Sequence, residues 1–324
     1  MRATWHRARC CVSAFPLKEA QVMEFLAEFI QFSIGNQRLQ IRYYGLIIVA
    51  AMLVAAWIAT RLAKREGRDP DHVWGALTWA IIPAIIGARL WFVLFPPEEL
   101  VRRGRDTAWF LQNFFDTTEG AIAIWSGGLS IFGAFLGGLL GAYIYMRRNR
   151  LPIPAWLDIA GVAFPLGQAI GRWANAVNQE LYGIPTTLPW GITIDAGKRV
   201  APYTSLIEFP IETRFHPLFL YESLWSALAF VLLLLLFTRN RDRLRYGDIF
   251  LLFVMQYSVI RFLLEFIRVE VALVGGVNVS QVVTVIGFVI ALIIFLMRRR
   301  APAVAEAREA MRDPVKPAAP ARSA

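Results

Sequence analysis

Between positions 168 and 183 the chain reads Gln-Ala-Ile-Gly-Arg-Trp-Ala-Asn-Ala-Val-Asn-Gln-Glu-Leu-Tyr-Gly. The residues just before this stretch are apolar, so a guanidinium and several amides arrive at the end of what looks like a membrane segment. A charge at that depth is costly unless it is paired or wet. On a helix Gln168, Arg172, Asn175 and Gln179 fall on one face, with Asn178, Glu180 and Gly183 following closely. A second set, Arg261, Glu265 and Arg268, also shares one face of an apolar segment. A third is His216 followed by Tyr221 and Glu222, and Arg89 and the pair Tyr43-Tyr44 add to these. Several arginines at one depth suit an anion, because the guanidinium fork matches phosphate oxygens. The natural anion there is a phospholipid head group. Blander readings stay open for each set. Arg261, Glu265 and Arg268 suit an ion-pair ladder on one helix, Arg172 alone can snorkel to the interface, Glu222 can serve as an interhelical hydrogen-bond partner, and His216 can simply open a span.

The elements that must position these residues follow from hydropathy. Of 324 residues 57% are hydrophobic, and they come in long runs such as Phe230–Phe237. The fold class is therefore an all-α polytopic membrane protein. Seven transmembrane helices are expected near 42–60, 73–95, 122–146, 155–177, 217–237, 247–267 and 279–297. Pro83, Gly87 and Arg89 interrupt the second, and the third carries the close-packing pattern Gly133, Gly137, Gly141. The net charge of +10 is no nucleic-acid signature. Basic residues cluster after the first, third, fifth and seventh spans, which orients those ends to the cytoplasm and puts the N-terminus outside. Arg102, Arg103 and Arg105 run against that rule, offset by Glu98, Glu99 and Asp106.

The seven spans form a catalytic membrane domain over 41–297. Residues 178–216, punctuated by prolines and glycines and holding a strand-like Trp190–Asp195, read as a small extracytoplasmic cap. Residues 1–40 read as an N-terminal extension with an interfacial helix, where Phe25, Phe29 and Phe32 share a face, and Met23 is a possible alternative start. Residues 298–324 read as a disordered basic cytoplasmic tail. The only cysteines, Cys10 and Cys11, lie far from every polar set, which argues against thiol catalysis by the chain's own residues.

Taken together, the run Gly171-Arg172-Trp173-Ala174-Asn175-Ala176-Val177-Asn178-Gln179-Glu180-Leu181-Tyr182-Gly183 resembles the signature of the prolipoprotein diacylglyceryl transferase family. Further marks appear in order: Arg42-Tyr43-Tyr44-Gly45, Gly87-Ala88-Arg89-Leu90, Trp125 to Ser130, His216-Pro217 with Tyr221-Glu222, and Arg261, Glu265 and Arg268. The resemblance implies a multi-pass enzyme of the bacterial plasma (inner) membrane. It would move the diacylglyceryl group of phosphatidylglycerol to the lipobox cysteine in the signal peptide of a prolipoprotein, the first step of lipoprotein maturation. No metal or cofactor is implied. By motif position Arg172 and Arg261 would clamp the phosphate, with Arg268 nearby. Asn175 and Glu180 would position the head group, with Asn178 beside them. Gly183 would let the backbone approach the lipid. Tyr44, Glu222 and His216 would line the site, and Arg89 would pair with a carboxylate there.

In that reaction a sulfur nucleophile displaces a phosphate ester at a CH2 carbon. The leaving group gathers negative charge, which fixed cations stabilise most in the transition state. The family pattern in some members has a histidine where this chain has Phe132, so a base from that position is excluded. Tyr44, Glu180, Glu265 and His216 remain as candidates. Two rival classes stay open at this point. One is a transporter for an anionic solute, which the absence of an internal repeat opposes. The other is an inactive lipid-binding relative.

Overall fold

The structure is a computed structural model and describes residues 23–25, 29–34, 37–271 and 273–299. The extension over 1–22 and the tail beyond residue 299 lie outside the described residues.

The chain enters through a three-stranded antiparallel meander, β1 (Met23–Phe25), β2 (Phe29–Ile34) and β3 (Gln37–Arg42). This replaces the interfacial helix expected over 24–34. The helical spacing of the phenylalanines competes with a period-two pattern, Ile30, Phe32 and Ile34 in one strand and Leu39 and Ile41 in the next. The register sets Ile30 opposite Ile41 and Phe32 opposite Leu39. Ile34 pairs with Gln37, and the intervening Gly-Asn is a two-residue hairpin signal.

Helices α1 (Tyr43–Arg65) and α2 (Asp71–Leu94) follow, then two short helices, α3 (Glu98–Arg102) and α4 (Thr107–Gln112). After these come α5 (Ile131–Arg148), α6 (Ile153–Asn178), α7 (Leu218–Arg239), α8 (Asp248–Leu264) and α9 (Val279–Arg299). Among the described residues five helices are long and apolar enough to cross a membrane: Tyr43–Arg65, Asp71–Leu94, Ile153–Asn178, Leu218–Arg239 and Val279–Arg298. The protein is thus a mostly helical, polytopic membrane protein. Apolar side chains such as Ile82, Ile86 and Leu232 face outward, as lipid-facing helices require.

The helix α6 is the hub, packing against α1, α7 and α8, while α9 packs on α8. Trp156, Ile159, Val162 and Ala163 line one side of its first half. They meet Leu62 and Ala63 of α1, Leu233 and Phe237 of α7, and Ile249 of α8 in the main core. The partner of α2 is α5. A β-carbon on Gly133 would overlap the Gly87 carbonyl, and one on Gly137 the Pro83 carbonyl, so the glycine row exists to let these backbones touch.

Two span boundaries differ from expectation. The helix of the third expected span, α5, starts at Ile131 rather than near 122. Residues 120–128 instead wrap the Arg89 side chain, with Gly127 and Gly128 at φ +92° and +68°. The helix α8 stops at Leu264, because residues 267–268 leave it to pair with Gly183 and Ile184. Between α6 and α7 a two-stranded sheet forms from β4 (Ile192–Thr193) and β5 (Arg214–Phe215), at the place where the Trp190–Asp195 strand was expected. Its small core is Tyr182, Ile194 and Phe215. A last hairpin, β6 (Leu273–Val274) with β7 (Val277–Asn278), leads into α9.

Candidate active site

The site forms where the C-terminal end of α6, the N-terminal end of α7 and the C-terminal end of α8 meet. Each helix sends in a charge. Arg172 of α6 pairs through Nη2 with Glu222 Oε2 of α7. Arg261 of α8 reaches the other oxygen of the same carboxylate, Nη1 to Oε1, at 3.6 Å. Glu222 therefore sits between two arginines from two different helices. Arg261 Nη2 also lies 3.1 Å from Glu265 Oε2, one turn along α8. That pair has ion-pair distance without hydrogen-bond alignment, and both Glu265 oxygens are buried with no hydrogen-bond partner.

Around the arginines stands a ring of polar groups. Arg172 Nη1 donates to Asn175 Oδ1 at 3.5 Å, and Asn175 Nδ2 donates to Glu180 Oε1 at 2.7 Å. The Glu180 amide donates to the Asn175 carbonyl at 3.0 Å, so main chain and side chain tie the same two residues. Tyr44, in the first turn of α1, stands close enough to Glu180 and Arg172 to interact electrostatically with both. Arg268 interacts in the same way with Arg261, Glu265, Glu222 and Arg172, and its Nε donates to the Glu270 carbonyl at 2.9 Å.

Exposure separates the two signs of charge. The side chains of Arg172 and Arg261 are 21% and 17% exposed, whereas those of Glu222 and Glu265 are 8% and 1% exposed. The carboxylates are thus the more buried partners and the arginines the more exposed ones. Such an arrangement can receive an anion without first assembling its cations. Among the described residues no three His, Cys, Asp or Glu side chains converge as a metal site would require.

Eight of the residues singled out by sequence come together here: Tyr44, Arg172, Asn175, Glu180, Glu222, Arg261, Glu265 and Arg268. The others have different employment. Arg89 was expected to pair with a carboxylate, and it does not. Its Nε donates to Ala121 O at 2.8 Å, Nη2 to Gly120 O at 2.6 Å, and Nη1 to Gly127 O and Gly128 O at 2.6 and 3.1 Å. It is the peg around which the α4–α5 loop folds, since a single buried guanidinium can satisfy many carbonyls that have no ladder partner. His216 bonds through Nδ1 to the Tyr221 hydroxyl at 3.0 Å, and that hydroxyl accepts from Trp190 Nε1 at 2.9 Å. The carbonyl of Asn178 accepts from Lys198 Nζ at 3.3 Å. Gly183 has a reason internal to the fold. A β-carbon there would stand 2.7 Å from Ile267 O and 2.8 Å from His216 Cβ, where three backbone segments are laced together.

Sequence reasoning passed over two further groups. Arg199 mirrors Arg89, donating from Nε to Ile194 O at 2.9 Å, from Nη1 to Phe209 O at 2.6 Å, and from Nη2 to Pro210 O and Ile211 O at 3.1 and 3.0 Å. Beside it the Tyr182 hydroxyl accepts from the Val200 amide at 2.7 Å, and burial pushes this phenol above its ordinary range. At the opposite end of the bundle Asp158 of α6 is fully buried. It accepts from Arg241 Nη1 and the Gly247 amide, each at 2.8 Å, and from the Phe250 amide at 3.0 Å. A lone aspartate in an apolar stretch was the available signal.

Comparison with known proteins agrees with this geometry. The family model described as prolipoprotein diacylglyceryl transferase matches residues 30–297. A curated relative from Chloroflexus aggregans is 38% identical over 287 residues, covering 84% of this chain and 90% of its own. Relatives from Trichormus variabilis and Synechococcus elongatus are 36% and 35% identical over 255 and 251 residues, covering 78% and 76% of this chain and 83% and 80% of theirs. All three carry the name phosphatidylglycerol–prolipoprotein diacylglyceryl transferase. With most of its length matched, and the matched region containing all eight of the converging residues, this chain belongs to the prolipoprotein diacylglyceryl transferase family.

Proposed function

We infer that the protein transfers the sn-1,2-diacylglyceryl group of phosphatidylglycerol to the lipobox cysteine of prolipoproteins. The observation that carries this is the convergence of Arg172 and Arg261 on Glu222, one charge from each of three helices, with both arginines partly exposed. The thiolate sulfur attacks the glycerol CH2 that bears the phosphate. A C–S bond forms, the C–O bond breaks, and glycerol phosphate leaves with the electron pair. Arg172 and Arg261 stabilise the charge that develops on the phosphate oxygens, with Arg268 adding to the same field. Asn175 positions the head group.

A free thiol has a pKa near ~8.5, so little thiolate is present at neutral pH. The arginine field lowers that value, and a proton acceptor completes the step. Of the candidates, His216 is engaged with Tyr221, and Glu265 lies behind Arg261. Glu180 accepts from Asn175 at Oε1 only and is partly exposed, so we assign it the proton. Tyr44 borders the same space.

In this reading α5 and α8, with 18 and 17 residues, complete seven crossings. The basic ends of α1, α5, α7 and α9 face the cytoplasm of a bacterial cell, and the site opens toward the outer leaflet. The segment between α6 and α7 caps it there. Nothing in the molecule favours the transporter or the inactive relative.

The test is mass spectrometry of a lipobox peptide incubated with the purified protein and phosphatidylglycerol. A diacylglyceryl mass increment on the cysteine is expected, with release of glycerol phosphate. An unmodified peptide under conditions where a family relative modifies it overturns the reading.

A further inference from the structure

The helix α6 ends in a left-handed cap. Gln179 and Leu181 have φ of +56° and +57°, a left-handed region that side chains larger than glycine seldom adopt. Glu180 lies between them. The amides of Gln179 and Glu180 bond back to the Ala176 and Asn175 carbonyls, the usual way such a cap closes, and contacts from outside the helix add to this at a non-glycine position.

Those contacts come from the turn that begins at Asp195. Gln179 Nε2 donates to Asp195 Oδ2 at 2.8 Å, and the Asp195 amide donates back to Gln179 Oε1 at 2.7 Å. Both ends of one side-chain amide are thus spent on a single residue. Three positions on, Lys198 Nζ donates to the carbonyl of Asn178, placing a cation at the negative end of the helix dipole. The turn is itself anchored, because Ile194 is buried and Arg199 ties its carbonyl to the rest of the α6–α7 segment. We propose that Gln179 and Asp195 are positioning residues, a two-bond clasp that fixes the left-handed turn so that Glu180 meets Asn175, and through it Arg172. The proposal rests on the assignment of Glu180 and Asn175 to the reaction given above.

The clasp makes separable demands. Glycine at 179 accepts the positive φ and removes the clasp. Asparagine at 195 keeps an acceptor and the backbone donor. Glutamate at 179 sets two carboxylates against each other, and Gln179→Glu with Asp195→Asn restores a donor–acceptor pair. The experiment measures kcat and KM for a lipobox peptide and phosphatidylglycerol with the full-length protein in nanodiscs, together with thermal melting. Gln179→Gly, Asp195→Ala and Gln179→Glu are expected to lower kcat about tenfold, as a small misplacement of reacting groups does, with melting close to the parent. Asp195→Asn and the double variant are expected to stay within about threefold of the parent.

Parental kcat in Gln179→Gly and Asp195→Ala overturns the proposal, and so does a loss in Gln179→Glu that the double variant does not recover. If a variant melts early, the comparison of Gln179→Glu with the double variant decides, since both carry the same residue at 179. Glu180→Gln and Asn175→Ala run alongside. Inactive controls with fully active clasp variants sink the clasp alone. Fully active controls sink the site assignment, and the clasp with it.

Discussion

The two ends of the bundle use the same kinds of side chain and solve different problems. At one end Arg241 lies between the rings of Phe237 and Tyr246, 5.0 and 4.5 Å from their centroids. Its Nη1 meets Asp158 at 2.8 Å, and its Nε meets Glu66 at 3.2 Å. Asp158 also receives two amides from the start of α8, which fixes the angle at which that helix enters. Both oxygens of this aspartate accept hydrogen bonds. At the other end Arg172 and Arg261 share one carboxylate, the second contact is stretched to 3.6 Å, and Glu265 is buried without an aligned donor. In the first network the charges are enclosed, so removing one member strands another in the interior. In the second the arginines stay partly exposed, within reach of an anion. Buried polar atoms without a hydrogen-bond partner occur at both ends, Arg241 Nη2 at one and the Glu265 oxygens at the other, so what separates the two is the exposure of the arginines, 9% for Arg241 against 21% and 17% for Arg172 and Arg261.

That contrast can be broken most severely at the enclosed end. Asp158→Ala leaves Arg241 buried without its closest carboxylate and is expected to cost about 3–5 kcal/mol of stability. The loss should be read as a fall in melting temperature in detergent, while surviving folded protein keeps its specific activity. At the open end the loss should fall on turnover as well. Arg172→Ala or Arg261→Ala is expected to lower the kcat of the folded protein by about 10²–10³, or roughly 2.7–4 kcal/mol of transition-state stabilisation. Parental turnover in either variant breaks the clamp assignment.

A finer test is the proton acceptor. Glu180→Gln is expected to lose about a hundredfold at neutral pH, at the low end for a general base. Its activity should climb with pH toward the thiol pKa near ~8.5, because hydroxide then supplies the thiolate. A pH profile parallel to the parent's would remove Glu180 from that role. The smallest effect belongs to Glu66→Gln, where Arg241 keeps Asp158 and the amide oxygen still accepts. About 0.5–1.5 kcal/mol of stability is expected to go, the scale of one hydrogen bond, with no change in turnover.

Much of this protein was legible before its structure. Long apolar runs with four basic ends make a polytopic helical membrane protein, since a run of about 20 apolar residues can cross lipid with its backbone satisfied only as a helix. The face shared by Arg172 and Asn175, and that shared by Arg261 and Glu265, follow from helical periodicity alone, and both survive in the structure. Local period misled at residues 24–34, where helical and strand spacings coexist and strand pairing with 37–42 decided the outcome. It misled again before Ile131, where the loop's carbonyls needed Arg89 more than residues 122–130 needed a helix.

What tertiary structure alone decided was the role of each arginine. Arg89, Arg172, Arg199, Arg241 and Arg261 are equivalent as letters. Some of their partners lie far along the chain, Asp158 83 residues from Arg241 and Gly127 38 from Arg89, while those of Arg199 lie within 12. A guanidinium pays its desolvation cost with whichever acceptors the fold brings within reach. Hydropathy placed Arg89, Arg172 and Arg261 within apolar segments, and packing determined whether carbonyls, a buried aspartate or a shared glutamate would receive each arginine.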